Sequence, residues 1–201
     1  MVYRLYVKRS LDVLFSVLML IAASPLMVII TILIKATSDG PALFTQKRHG
    51  VDGSTFTLYK FRSMRQGAPI VSAQDAGKTL DSQITAIGSF LRESSLDELP
   101  QLFNILKGDR SFIGPRPLAD VDKETLILRA ENGSDTVKPG ITGLAQVNGR
   151  NFLNAEEKAH YDKLYADSIS FGTDFKIVWQ TFYHVIVRTG ITHEQIARKY
   201  E

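Results

Sequence analysis

The stretch VLFSVLMLIAASPLMVIITILI, residues 13–34, decides the fold. Its only polar side chains are Ser16, Ser24 and Thr31. Lys8 and Arg9 precede it and Lys35 follows it. About 20 apolar residues suffice to cross a bilayer, so the run predicts a membrane helix. A cleavable signal peptide would have a shorter apolar core, roughly 7–15 residues, ending at a small-residue site. A soluble surface helix would carry a polar stripe, and this run has none. Ser24-Pro25 falls near its centre. Proline removes a backbone donor and clashes with the carbonyl four residues back, so a kink is expected there. A serine beside it can bond the backbone group that the kink frees. Positive charge at both ends sets no orientation. Two topologies stay open: a straight span, and a re-entrant helix–break–helix that enters and leaves one leaflet.

The rest of the chain is polar enough to fold in water. With 201 residues there is room for one domain with a real core. The 24 Lys+Arg against 21 Asp+Glu leave a net charge of +3. That is too balanced for a dedicated nucleic-acid binder, while basic residues suit anionic ligands. The absence of cysteine excludes disulfides, thiolate zinc sites and cysteine nucleophiles.

Residues 42–48 and 55–61 read as two strands around the turn His49-Gly50-Val51-Asp52-Gly53, a small β-hairpin carrying Lys47, Arg48, Lys60 and Arg62. Residues 66–83 read as a polar loop. Short helices are expected over 84–91 and 99–106, the second stopped by Lys107-Gly108. A further helix is expected over 118–130. Residues 137–150, with Gly140, Gly143 and Gly149, read as a functional loop. Amphipathic helices over 154–168 and 174–188 complete the set. In the last, Phe175, Val178, Trp179, Phe182 and Ile186 recur at helical spacing. Such a stripe is either core or an interfacial face at the bilayer surface. The fold class is therefore α+β, mainly helical, with residues 1–36 as the membrane helix and 37–201 as one continuous domain.

Asp97-Glu98, within Ser95-Leu96-Asp97-Glu98-Leu99-Pro100-Gln101, is the leading candidate for chemistry. Ser95 and Glu98 also match a capping box, which explains both carboxylates without any reaction. Pro100 argues against that frame, because it fits best as a first helical residue. The pair then sits on the turn ahead of the helix. In the chemical reading one carboxylate attacks phosphorus and the other helps hold Mg²⁺, which takes one or two carboxylates plus substrate phosphates. Metal and arginines offset the repulsion between carboxylate and diphosphate.

Gly114-Pro115-Arg116-Pro117 is either a surface turn or a rigid mount for a phosphate-binding arginine, and either X-Pro bond is open to the cis form. Lys138-Pro139-Gly140-Ile141-Thr142-Gly143 and Asn148-Gly149-Arg150 resemble a phosphate loop in composition only. Neither a Walker motif nor a G-x-G-x-x-G fingerprint occurs. The four histidines, His49, His160, His184 and His193, lack metal-ligand spacing.

Taken together, these blocks resemble the bacterial sugar transferases, monotopic polyprenyl-phosphate phosphoglycosyl transferases. The markers are Lys8-Arg9, Ser24-Pro25, Phe44-Thr45-Gln46, Tyr59-Lys60-Phe61-Arg62-Ser63-Met64, the segment around Asp97-Glu98, Gly114-Pro115-Arg116-Pro117, and Lys138 to Gly143. Asn148-Gly149-Arg150-Asn151 draws the likeness toward members that start N-linked glycan assembly. The resemblance implies the re-entrant topology, with Lys8, Arg9, Ser24 and Pro25 as its determinants. It implies a monotopic enzyme on the cytoplasmic face of the bacterial inner membrane. Asp97 would be the nucleophile and Glu98 the Mg²⁺ ligand. Arg116 would bind phosphate, with Arg92, Lys60, Arg62 and Arg150 as further substrate-binding candidates. The implied partners are a UDP-sugar donor, undecaprenyl phosphate, membrane lipids and downstream glycosyltransferases, with no nucleic acid. The implied reaction is ping-pong, through a phosphosugar-aspartyl intermediate, with release of UMP. A diacetamido-type UDP-sugar is the donor suggested by the N-glycan likeness, while O-antigen and capsule precursors stay open. A Mg²⁺ phosphohydrolase and a non-catalytic membrane scaffold are the competing readings.

Overall fold

The structure is a computed structural model that describes residues 2–68, 82–149 and 152–187. A π-helical turn, Tyr3–Val7, leads into α1, Lys8–Thr37. This 30-residue helix is long and apolar enough to cross a membrane, and only 11% of its most apolar 18-residue stretch is buried against the rest of the chain. Pro25 lies inside it. The Ser24 hydroxyl donates to the Ile21 carbonyl at 2.9 Å, which is the acceptor that proline leaves without a partner. The helix runs on through Pro25, the site of the expected break.

Both ends of α1 pack against the folded domain. Near the start, Asp12 and Ser16 are buried; near the end, Ile30 and Ile34. Lys8 Nζ pairs with Asp174 at 2.6 Å. Arg9 donates to the carbonyls of Ile105 and Leu106 at 2.5 and 2.8 Å. The Asp12 carboxylate accepts from Ser111 Oγ and the Phe112 amide, each at 3.1 Å. The flanking charges read as topology markers are thus engaged inside the chain. Between these ends, Leu14, Phe15, Leu18, Ile21, Val28 and Ile32 are exposed.

The hairpin forms as expected. Strand β1, Leu43–His49, pairs antiparallel with β2, Thr55–Phe61, in the register Leu43↔Phe61 to His49↔Thr55. Helix α2, Ala86–Glu93, is capped by Thr85, whose side chain accepts from the Gly88 amide at 3.0 Å. Helix α3 runs Gln101–Lys107 and stops at Gly108, φ 91°. Helix α4, Lys123–Asn132, begins later than expected because a 3-10 turn, Asp120–Asp122, precedes it. A parallel pair, β3 Ser111–Ile113 and β4 Gly140–Thr142, was not anticipated. A short α5, Leu144–Asn148, follows. The stretch read as a glycine-rich loop is therefore largely ordered structure. Its glycines answer a packing need: a Cβ on Gly140 would lie 2.1 Å from the Gly114 nitrogen, and one on Gly143 2.1 Å from the Gly114 oxygen.

Helices α6, Ala155–Asp167, and α7, Phe171–Ile186, carry side-chain caps from Asn154 and Ser170. One core gathers Ile30, Ile34, Ala42, Phe61 and Leu91. A second gathers Ile113, Val137, Val147, Tyr165 and Ile177. On α7 only one apolar face reaches that core. Phe171, Phe175, Trp179, Phe182 and Tyr183 are all more than half exposed, so the aromatic stripe is an outward face.

Candidate active site

The acidic pair owes its position to a break between two helices. Ser95, with φ 57°, turns the chain out of α2 into a 3-10 turn, Leu96–Glu98. The Ser95 side chain makes no cap hydrogen bond, so the capping-box reading fails. Pro100, φ −62°, stands directly ahead of α3, in keeping with its pre-set helical dihedral. Asp97 and Glu98 are thereby left on the turn.

That turn is anchored through α3. Asn104 is fully buried. Its side chain accepts from the Tyr59 amide at 3.1 Å and donates to the Thr57 carbonyl at 2.7 Å, tying α3 to the edge of β2. Arg9 holds carbonyls at the other end of α3, a favourable place for a cation.

Lys60 projects from β2 between the two acids. Its Nζ lies 2.6 Å from Glu98 Oε1 and 3.8 Å from Asp97 Oδ2. The carboxylates therefore differ. Burial works against the charge on Glu98, but Lys60, then Arg116 and Arg110, hold its carboxyl below the usual range. Asp97 is 8% exposed. Burial pushes its carboxyl up, Lys60 and Arg92 oppose this, and Glu98 adds to it.

The basic candidates separate. Lys60 and Arg116 act on Glu98, and Lys60 and Arg92 on Asp97. Arg116 is exposed, and its carbonyl accepts from Arg129 at 2.9 Å. Both prolines around it follow trans peptide bonds. Arg62 is not at the acidic pair: its guanidinium donates to the carbonyls of Ser38 and Asp39 and to the Ser38 hydroxyl, closing the end of α1. It follows the last residue of β2, where the strand alternation that aims Lys60 at Glu98 no longer applies. Arg150 lies outside the described residues. Two arginines enter that the sequence reading gave no site role. Arg110 is 2% exposed and donates to the Gly140 carbonyl. Burial pushes its pKa down to about 9, with Glu98 opposing and Arg116 and Arg48 reinforcing the shift. Arg48 donates to Gln46 Oε1 and the Pro117 carbonyl. The one available signal for Arg110 was a cation four residues before Gly114.

Among the described residues no group of three or more His, Asp or Glu side chains is placed to hold a metal. The adjacent Asp97 and Glu98 still fit Mg²⁺, which takes only one or two protein carboxylates when substrate phosphates complete its sphere. His49 bonds Asp120 at 2.8 Å; it pairs away from the acids.

Residues 3–188 match the family model described as bacterial sugar transferase. An undecaprenyl-phosphate galactose phosphotransferase of Salmonella typhimurium is 38% identical over 92% of this chain and 41% of its own length. An uncharacterized sugar transferase, EpsL, of Bacillus subtilis is 39% identical over 92% of this chain and 89% of its own length. A UDP-N-acetylgalactosamine-undecaprenyl-phosphate N-acetylgalactosaminephosphotransferase of Aeromonas hydrophila is 37% identical over 92% and 45%. The chain thus spans less than half the length of the first and third of these relatives.

Proposed function

Because the chain belongs to the bacterial sugar transferase family, we propose that it moves a sugar 1-phosphate from a UDP-sugar to undecaprenyl phosphate in two displacements. The observation that carries this reading is the unequal pair. Glu98 is held ionised against Lys60, while Asp97 keeps a more distant Lys60 contact.

In the first displacement an Asp97 carboxylate oxygen attacks the sugar-bearing phosphorus of the donor. The bond from that phosphorus to the bridging oxygen breaks, and UMP leaves with the electron pair. A phosphosugar-aspartyl intermediate, an acyl phosphate, remains. In the second, the phosphate oxygen of undecaprenyl phosphate attacks the same phosphorus and expels the Asp97 carboxylate. The product is an undecaprenyl-diphosphate sugar. Lys60 and Arg116 offset charge on the diphosphate, and Arg92 tempers the charge of Asp97. Glu98, with Asp97 beside it, would hold Mg²⁺. When bound, the metal would neutralise diphosphate charge during attack.

The reading places α1 in the inner membrane as a re-entrant helix, with the site on the cytoplasmic face. Reach supports this. Arg9 touches the last turn of α3, while Ile30 and Ile34 share a core with Leu99, just ahead of its first. Along a straight helix residues 9 and 30 stand roughly 30 Å apart, but a seven-residue helix is only about 10 Å long. A bend at Pro25 reconciles the two. The outward aromatic stripe of α7 supplies an interfacial face. Such a shallow anchor lets a soluble donor meet a lipid phosphate at headgroup level.

The test is UMP release from UDP-galactose, UDP-glucose and UDP-N-acetylgalactosamine, the sugar types named in relatives, together with a diacetamido UDP-sugar. Sustained release from one donor should require undecaprenyl phosphate and cease on chelation by EDTA. Lipid-independent turnover would instead make the protein a hydrolase.

A further inference from the structure

Away from the acidic pair, α1, α3 and the hairpin enclose a groove of about 940 Å³. It continues into a second hollow of about 460 Å³, with which it shares Met27, Val28 and Phe103. Along α1 the wall is a helical stripe, Leu20, Ser24, Met27, Thr31 and Lys35. Pro100, Phe103 and Lys107 supply one face of α3. The hollow at Leu20, Ser24 and Phe103 lies at the proposed bend, the deepest point of α1 in a bilayer.

The groove is graded in polarity. Its deep end is lined almost wholly by apolar side chains. Its other end carries two cations. Lys35 is in the last turn of α1 and exposed. Lys107 sits 5.5 Å over the Tyr59 ring, donates to the Tyr59 hydroxyl at 3.5 Å and has a loose 3.9 Å contact with Asp109. Apolar walls at acyl depth and two ammonium groups at headgroup depth complement a lipid whose head is anionic. The groove is also set apart from the reaction. Side chains alternate across a strand: Lys60 meets Glu98 on one face of β2, while Tyr59 and Phe61 line the groove on the other. A phosphate bound at Lys107 would not face Asp97.

We propose that this groove binds a resident anionic phospholipid of the bilayer, with one acyl chain along the α1 stripe and its phosphate at Lys35 and Lys107. The proposal rests on the membrane placement of α1 given above.

A single reporter tests it. The chain has one tryptophan, so Trp179→Phe with Phe103→Trp leaves one indole in the groove. The full chain is placed in phosphatidylcholine nanodiscs doped with phosphatidylglycerol or phosphatidylcholine brominated in the acyl chain. Brominated phosphatidylglycerol should quench at a several-fold lower mole fraction, and Lys35→Glu with Lys107→Glu should abolish that preference. Equal quenching by the two lipids would overturn the proposal, as would a preference that survives charge reversal. Relief of quenching by undecaprenyl phosphate would also overturn it and give the groove to the acceptor. Failure of the chain to co-elute with nanodiscs would remove the membrane placement and the groove site together, whereas lipid-dependent UMP release tests the transferase reading separately.

Discussion

Lys60 Nζ lies 2.6 Å from Glu98 Oε1, so a β2 side chain, not a helix cap, holds the second carboxylate of the acidic pair. Lys60→Met should lower turnover by about a hundredfold, the scale of losing one charge-stabilising group in a water-poor site. Lys60→Arg should recover part of it. Initial rates of UMP release check both.

The position of α1 gives a topological prediction. The chain has no cysteine, so Val2→Cys and Asp39→Cys, both at exposed positions, are clean labels on the two flanks. A membrane-impermeant maleimide should miss both in intact cells and reach both after permeabilisation. A straight span would expose one of them from outside. Pro25→Ala restores the missing donor and should favour that outcome.

Close approach of Gly114 and Gly140 makes the family turn sensitive to a single methyl. Gly140→Ala places a Cβ 2.1 Å from the Gly114 nitrogen and 2.5 Å from the Thr142 carbonyl. Backbone atoms on both sides cannot yield as a flexible side chain would. The variant should lose most folded yield, read by size-exclusion profile in detergent.

Arg129 links stability to the arginine turn. It makes a buried pair with Asp162, Nη2 to Oδ2 at 2.6 Å, and donates to the Arg116 carbonyl. Arg129→Ala leaves Asp162 buried and unpaired, at a cost of about 3 kcal/mol, or a fall in melting temperature of about 10 °C. Combining Arg129→Met with Asp162→Leu should recover most of the stability, since neither charge then remains. UMP release should stay low, because nothing then holds the Arg116 carbonyl.

The parts of this fold that were legible in the sequence are those with local signals. The apolar run, the hairpin turn at residues 49–53 and the stop at Gly108 each carry their own chemistry, and Pro100 placed the acids ahead of α3. What escaped depended on distant partners. Strands β3 and β4 are three residues each, too short for a period to register. The glycines of 140–143 looked like a ligand loop, but they are small because Gly114 lies against them. Arg62 and Arg110 carry the same charge; only the fold sends one to the end of α1 and buries the other near Glu98. Lys8 and Arg9 flank the apolar run, but their partners, Asp174 and the carbonyls of α3, lie far along the chain.

The most direct measurement is the intact mass of the chain after incubation with its UDP-sugar and Mg²⁺ in the absence of lipid. Attack by Asp97 predicts one equivalent of UMP and a mass gain of one sugar phosphate, localised to Asp97 by peptide fragmentation, absent from Asp97→Asn and discharged by undecaprenyl phosphate. Lipid-dependent transfer with no adduct, or an adduct that persists in Asp97→Asn, would contradict it.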